Sequence, residues 1–173
     1  RARAGEELRF RAVRPCLEAA GGALRATLEG HTKDVTAVAC VSVGDGWRVV
    51  SGSVDKTVRV WDGESGAALL TLEGHTEYVG AVACVVVGDG WRVVSGSSDE
   101  TARVWSCTSG KELAMFHDEE VAQERGKPFV YDVAFSYDAK RLLVGGRDGV
   151  GRIWDCNIED TFYVAKLLVT LAT

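Results

Sequence analysis

Proline occurs only twice in this 173-residue chain, histidine three times and methionine once. So little proline beside 20 glycines suits tight turns between strands better than a disordered, proline-rich segment. No apolar run approaches the ~20 residues of a membrane-spanning helix, and the longest C-terminal stretch is broken by Lys166. Residues 1–22 lack the apolar core of a secretory signal. An excess of positive charge is missing too. The formal net charge is −5 and the pI is near 5.3, which argues against a nucleic-acid-binding surface. The five cysteines (Cys16, Cys40, Cys84, Cys107 and Cys156) are odd in number and include no C-x-x-C pair. With His31, His75 and His117 as the only histidines, neither a disulfide framework nor a metal site is expected, and no cofactor is called for. A reduced intracellular setting, cytoplasmic by preference, fits this inventory. The length suffices for one ordinary domain and not for two, and 46% hydrophobic with 26% charged residues is the composition of a soluble globular protein.

What the chain does have is a repeat. Residues 28–66 and 72–110 align at an offset of 44, with 29 of 39 positions identical. A looser third copy runs over residues 130–156, and its Trp154 lies 49 residues after Trp105. Within each copy the pattern is that of strands. Val35–Val43 is apolar and β-branched and ends at Gly44-Asp45-Gly46, a hairpin signal. Trp47–Gly52, Thr57–Asp62 and Ala67–Leu72 follow as further strands, with turns at Ser53–Lys56 and Gly63–Gly66. The strands are almost continuously hydrophobic, which suits a sheet covered on both faces. Four short antiparallel strands per ~44 residues match one blade of a β-propeller. No helix is required in residues 24–173.

Gly30-His31 and Gly74-His75 open the two close copies, and Trp61-Asp62, Trp105-Ser106 and Trp154-Asp155 close the third strand in all three. On these landmarks the chain resembles the WD-repeat family of β-propellers over residues 24–171. The resemblance implies an all-β fold: a partial propeller of three four-stranded antiparallel blades (29–72, 73–117 and 129–171) plus one leading outer strand, Ala23–Leu28. It also implies a structural relay of Asp, His, Ser and Trp in each blade. In the first blade this would be Asp55, His31, Ser51 and Trp61; in the second, Asp99, His75, Ser95 and Trp105. The third blade keeps Asp148 and Trp154 but has Val144 in place of the serine, and His117 is too far upstream to align. That relay is expected to be broken and that blade to be the least rigid.

An Asp-His-Ser set also invites a hydrolase reading. No G-x-S-x-G elbow is present, however, and a strand serine bonded to a tryptophan is structural, so no catalytic residue is assigned. Cys40 and Cys84, which stand where the third blade has Phe135, read as core filling. Trp47 and Trp91 read as packing between adjacent blades, with partner anchoring as the alternative. Residues 1–22 form a linker or N-terminal extension, and the charged segment 118–128 a solvated insertion. The chain starts with Arg1 and stops where another Gly-His would be due, so it reads as a fragment of a longer array.

The ten differences between the close copies are not scattered. Lys33/Glu77, Asp34/Tyr78 and Thr36/Gly80 flank the start of the first strand, and Val54/Ser98 and Lys56/Glu100 sit in the second turn. On a propeller these places converge on one rim of the central channel, the face on which WD-repeat proteins usually dock peptides. Partner-binding positions are therefore Asp34, Thr36, Val54, Tyr78, Gly80, Ser98, Phe129, Tyr131 and Arg147. Drift at exposed positions is the plain alternative. The resemblance implies a non-catalytic scaffold that binds a protein or peptide, with further blades in cis or self-association and without nucleic acid or membrane. The alternatives are the sensor array of an NB-ARC- or NACHT-type nucleotide switch and an accessory domain of an enzyme.

Overall fold

The computed structural model describes residues 24–88, 90–117, 129–156 and 166–172. The first repeat folds as β1 (Val35–Val43), β2 (Gly46–Ser53), β3 (Val58–Asp62) and β4 (Ala68–Leu72). The second gives β5 (Val79–Val87), β6 (Gly90–Ser97), β7 (Ala102–Ser106) and β8 (Glu112–Phe116). The third gives β9 (Val130–Phe135), β10 (Arg141–Gly146), β11 (Val150–Asp155) and β12 (Lys166–Ala172). Each set forms its own four-stranded sheet in chain order, and every pairing is antiparallel. No helix occurs among the described residues, and so none long and apolar enough to cross a membrane. The protein is all-β, a partial propeller of three blades.

The register repeats with the sequence. Ser51 stands opposite Val38 on one side and Arg59 on the other, and Ser95 opposite Val82 and Arg103. The first strands are innermost: β1 packs against β5, and β5 against β9. Adjacent residues of a strand point to opposite faces, yet Val93 and Val94 are both fully buried. Blade 2 is covered on both sides, which is why its strands read as unbroken apolar runs. Between blades 1 and 2 the core is built on Val50, Val58, Val60 and Leu72 against Val79, Trp91 and Val93. Between blades 2 and 3 it is built on Val94, Val104 and Phe116 against Val130, Val133 and Leu142.

Three expectations need correction. The leading strand Ala23–Leu28 is not formed as one: within its described part, residues 24–28 join no ladder. A strand needs a partner for its N–H and C=O groups, and no third strand runs alongside it among the described residues. Ala26 and Leu28 still lie against Gly66, 3.2 and 3.3 Å from where a Cβ would stand, much as Leu70 lies against Gly110 at 3.6 Å. The segment thus occupies the outer-strand place without the pairing. Secondly, Cys40 is exposed and fills no core, because it lies on the face of blade 1 that no other described blade covers. Its counterpart Cys84 packs against the first core. The same difference separates the tryptophans. Trp91 is buried between blades, whereas Trp47 is 38% exposed, lies over Gly63 and donates to Glu64 Oε1 at 2.7 Å. Residues 1–22 and the insertion 118–128 lie outside the described residues.

Candidate functional site: the relays and the turn-bearing rim

Each relay starts at the Gly-His step. A Cβ on Gly74 would come within 3.0 Å of Arg103 Nη1 and 3.1 Å of Trp105 Cη2, so only glycine lets the backbone approach the strand closely enough to deliver His75. His75 Nδ1 then lies 2.8 Å from Asp99 Oδ2, His75 Nε2 lies 2.7 Å from Ser95 Oγ, and Trp105 Nε1 donates to Ser95 Oγ at 2.8 Å. The first blade repeats this: His31 to Asp55 at 2.8 Å, His31 to Ser51 at 2.8 Å, and Trp61 to Ser51 at 2.9 Å. One proton order satisfies every group. The indole N–H donates to the serine oxygen, the serine O–H donates to His Nε2, and His Nδ1–H donates to the carboxylate.

Two threonines complete the relay and were missed in the sequence reading. Thr101 Oγ1 donates to Asp99 Oδ1 at 2.6 Å and Thr57 Oγ1 to Asp55 Oδ1 at 2.6 Å. The backbone N–H groups of Thr76 and Thr101 also reach Asp99, as those of Thr32 and Thr57 reach Asp55. Burial alone would push the Asp99 carboxyl up, but the hydrogen bonds from His75, Thr101 and Thr76 outweigh it and hold the group well below the ordinary 3.8. Asp55 is depressed in the same way against its own burial, chiefly by Thr57 and Thr32 together with His31. The signal was in the sequence: Asp-x-Thr recurs at both turns.

The likeness to a catalytic triad ends at the serine. Ser95 is fully buried and Ser51 nearly so, and each hydroxyl oxygen already accepts an indole N–H. A nucleophile must be open to its substrate, and these are sealed inside a blade. Burial likewise pushes the thiols of Cys84 and Cys107 up to about 12, away from reactive thiolate.

Blade 3 departs from the pattern. Val144 is in the serine place and is buried, while Asp148 pairs with Arg152, whose Nη2 donates to Asp148 Oδ2 at 2.6 Å. Both side chains are almost wholly buried. Arg152 is the counterpart of Arg59 and Arg103, and each arginine takes a different partner. Arg59 lies over the Trp61 ring at 5.9 Å, and Arg103 donates to Glu112 at 2.6 Å. Trp154 packs edge-on against Phe116 at 5.6 Å. His117 stays outside any relay; it lies 3.7 Å from Glu100 and, with Trp154 and Arg152, borders a cavity of about 20 Å³.

Six of the nine positions expected to bind a partner are brought together in pairs by one repeated backbone bond. Val54 N–H donates to Asp34 C=O at 3.0 Å, Ser98 N–H to Tyr78 C=O at 3.1 Å, and Arg147 N–H to Phe129 C=O at 2.9 Å. Each bond joins the second turn to the entrance of the first strand, so the three pairs stand at the same end of their blades. Asp34, Tyr78, Tyr131 and Arg147 are exposed there, and the Arg147 guanidinium lies over the Phe129 ring at 5.5 Å. Gly80 leaves space beside the Tyr78 ring, whose Cε2 is 3.5 Å from the place of a Cβ. Two of the nine differ from expectation. Ser98 is buried and presents nothing to a partner. Thr36 is exposed, but its hydroxyl is occupied by the carbonyls of Gly52 and Val79, linking blade 1 to blade 2.

Three like blades, each pinned by a turn carboxylate, define a propeller assembled from a single repeating unit. The model of the WD domain, G-beta repeat, matches residues 22–62, 66–106 and 120–155, and the chain belongs to the WD-repeat family. WD repeats generally act as protein-interaction scaffolds. No curated protein matches the chain. Among the described residues, no group of His, Cys, Asp and Glu gathers where it could hold a metal ion.

Proposed function

We propose that this chain is a non-catalytic module that docks a protein or peptide on the channel rim, at the end marked by the Asp34–Val54, Tyr78–Ser98 and Phe129–Arg147 pairs. One observation carries the reading: the backbone at this end is repeated three times while its side chains change from blade to blade. Constant geometry with varied chemistry is what a recognition surface requires. Tyr78, Tyr131 and Arg147 are the side chains to supply the binding energy, because aromatics and arginine dominate interface hot spots. The rim is also mixed in charge: Lys56 reaches Glu77 at 3.6 Å, and Asp34 stands at the end of blade 1 that corresponds to Arg147's end of blade 3. Residues 23–173 form the module in this reading, with 1–22 an extension and 118–128 an insertion, and the setting is intracellular.

A peptide library selected on the 173-residue chain tests this. Alanine at Tyr78, Tyr131 or Arg147 should weaken a selected peptide by more than ~1 kcal/mol with little change in melting temperature. Ser42→Ala, beside the hairpin turn at the other end of β1, should leave the affinity unchanged. The reverse pattern would move the site to the opposite rim.

A further inference from the structure

Three of the ten differences between the close copies are consecutive and lie away from the rim: Asp62/Ser106, Gly63/Cys107 and Glu64/Thr108. They open the turn after the third strand, at the hairpin end of the blades, where Gly63 N–H donates to Trp47 C=O and Cys107 N–H to Trp91 C=O. In blade 1 a carboxylate holds this turn. Asp62 Oδ2 lies 2.9 Å from Arg48 Nη1. Asp62 Oδ1 accepts the N–H groups of Glu64 and Ser65 at 3.2 and 2.9 Å and the Ser65 hydroxyl at 2.9 Å.

Blade 2 keeps the arginine and loses both acids. Arg92 stands where Arg48 does and, like it, donates to the carbonyl of the preceding tryptophan, here Trp91 at 3.1 Å. It pairs with no carboxylate among the described residues, and its Nε is buried without a hydrogen-bond partner. Such groups are rare in folded chains and mark a place where a partner is missing. Blade 2 has a described blade on each side, so the missing acid is not one that an adjacent blade supplies. The turn has also gained a cation, Lys111 in place of Ala67. It is held less firmly as well: instead of the three turn bonds to Asp62, Ser106 Oγ accepts one, from Ser109 N–H at 3.4 Å.

The hydroxyl beside this guanidinium belongs to Thr108. A Cβ on Gly90 would stand 3.0 Å from Arg92 Nη1 and 3.4 Å from Thr108 Oγ1, so the two groups flank one point. Thr108 itself is exposed. We propose that Thr108 is a phosphorylation site whose phosphate is received by Arg92, restoring in blade 2 the ion pair that Asp62 makes in blade 1. A threonine phosphate carries a charge of about −1.5 to −2 at pH 7, and its oxygens match the fork of an arginine. It also extends the threonine oxygen by two bonds, towards the guanidinium.

In the transfer this chain supplies only the acceptor. Thr108 Oγ1 attacks the terminal phosphorus of a nucleoside triphosphate held by a protein kinase. The new O–P bond forms as the bond to the departing nucleoside diphosphate breaks, and the hydroxyl proton passes to a base of the kinase. The phosphate then pins the 106–110 turn to β6 through Arg92, as Asp62 pins the 62–66 turn to β2 through Arg48. The event belongs to the hairpin end and does not require that the rim bind anything.

The 173-residue chain, incubated with magnesium-ATP and a panel of serine/threonine kinases and mapped by mass spectrometry, should carry phosphate on Thr108. A chain that takes up none, or takes it only at other hydroxyls, would overturn the proposal. Phosphorus NMR of the modified chain then reads the second ionisation of the phosphate. An arginine beside it favours the dianion, so this pKa should lie about 1 unit lower in the parent chain than in Arg92→Gln. Arg48→Gln, which breaks the blade 1 pair, should leave it unchanged. Ser106→Asp returns the blade 1 acid to compete for Arg92; it should remove most of the shift and decides the matter should Arg92→Gln fold poorly. A phosphate pKa indifferent to both Arg92→Gln and Ser106→Asp would overturn the pairing. Inorganic phosphate titrated at millimolar concentration into Thr108→Ala tests the other source of the same anion. Saturable binding there that is lost in Arg92→Gln would overturn the proposal in favour of a site for a free anion.

Discussion

Replacing Ser95 by alanine removes one oxygen and strands two partners. The hydroxyl accepts from Trp105 Nε1 at 2.8 Å and bonds His75 Nε2 at 2.7 Å, and all three side chains are buried. Almost no volume is lost, so the cavity contribution is small and the cost is electrostatic. A buried polar group left without its partner costs about 1–3 kcal/mol, so two such groups put Ser95→Ala at about 2–6 kcal/mol. Against a typical total of about 5–15 kcal/mol that is a large part of the stability. The urea midpoint, followed by tryptophan fluorescence, reads the change directly. Ser109→Ala, at an exposed turn, should stay within ~0.5 kcal/mol and serves as the control. In a double-mutant cycle, Ser95→Ala with Trp105→Phe should cost less than the sum of the two, because the stranded N–H is then gone. A loss at Ser95 no larger than at Ser109, or strict additivity in the cycle, would refute the relay as a source of stability.

In blade 3 the corresponding burden falls on Arg152 and Asp148. Arg152→Met should cost about 3–5 kcal/mol by leaving a buried carboxylate unpaired, and adding Asp148→Ala should recover much of it; a double variant no better than the single would contradict the pairing. Acid should act through Asp55 and Asp99. Their folded-state pKa values lie below the ordinary 3.8, so the stability they give is complete above that pH and is lost as pH falls further. Denaturant midpoints between about pH 5 and pH 2 should fall less steeply for Asp99→Asn than for the parent chain, and parallel slopes would count against the account.

Much of this was legible in the sequence because the repeat carries its own register. An offset of 44 in residues became an offset of 44 in every strand boundary of the first two blades. Gly-His and Trp likewise located the relay, since a buried indole and imidazole need partners and the serine lay between them. Other features depended on what stands beside a residue in space. Cys40 and Cys84 hold the same place in near-identical sequences, yet one is exposed and the other packed, because only Cys84 has a described blade over it. Ala23–Leu28 has the outer-strand pattern, but a pattern cannot supply the neighbouring strand that pairs it. Ser98 differs from Val54 in the way surface positions differ, yet its side chain is buried. Arg152 gave no signal of its own, because Arg59 and Arg103 occupy the same strand position with other partners.

The central claim is that partners dock at the end of the propeller where the second turns meet the first strands. Hydrogen exchange of the 173-residue chain, with and without a selected peptide, tests it most directly, because it maps contact without any substitution. The account predicts new protection at Asp34–Thr36, Tyr78–Gly80, Phe129–Tyr131 and the turn carrying Arg147, with the hairpins around Gly44–Gly46 and Val86–Gly88 unchanged. Protection confined to those hairpins would contradict it.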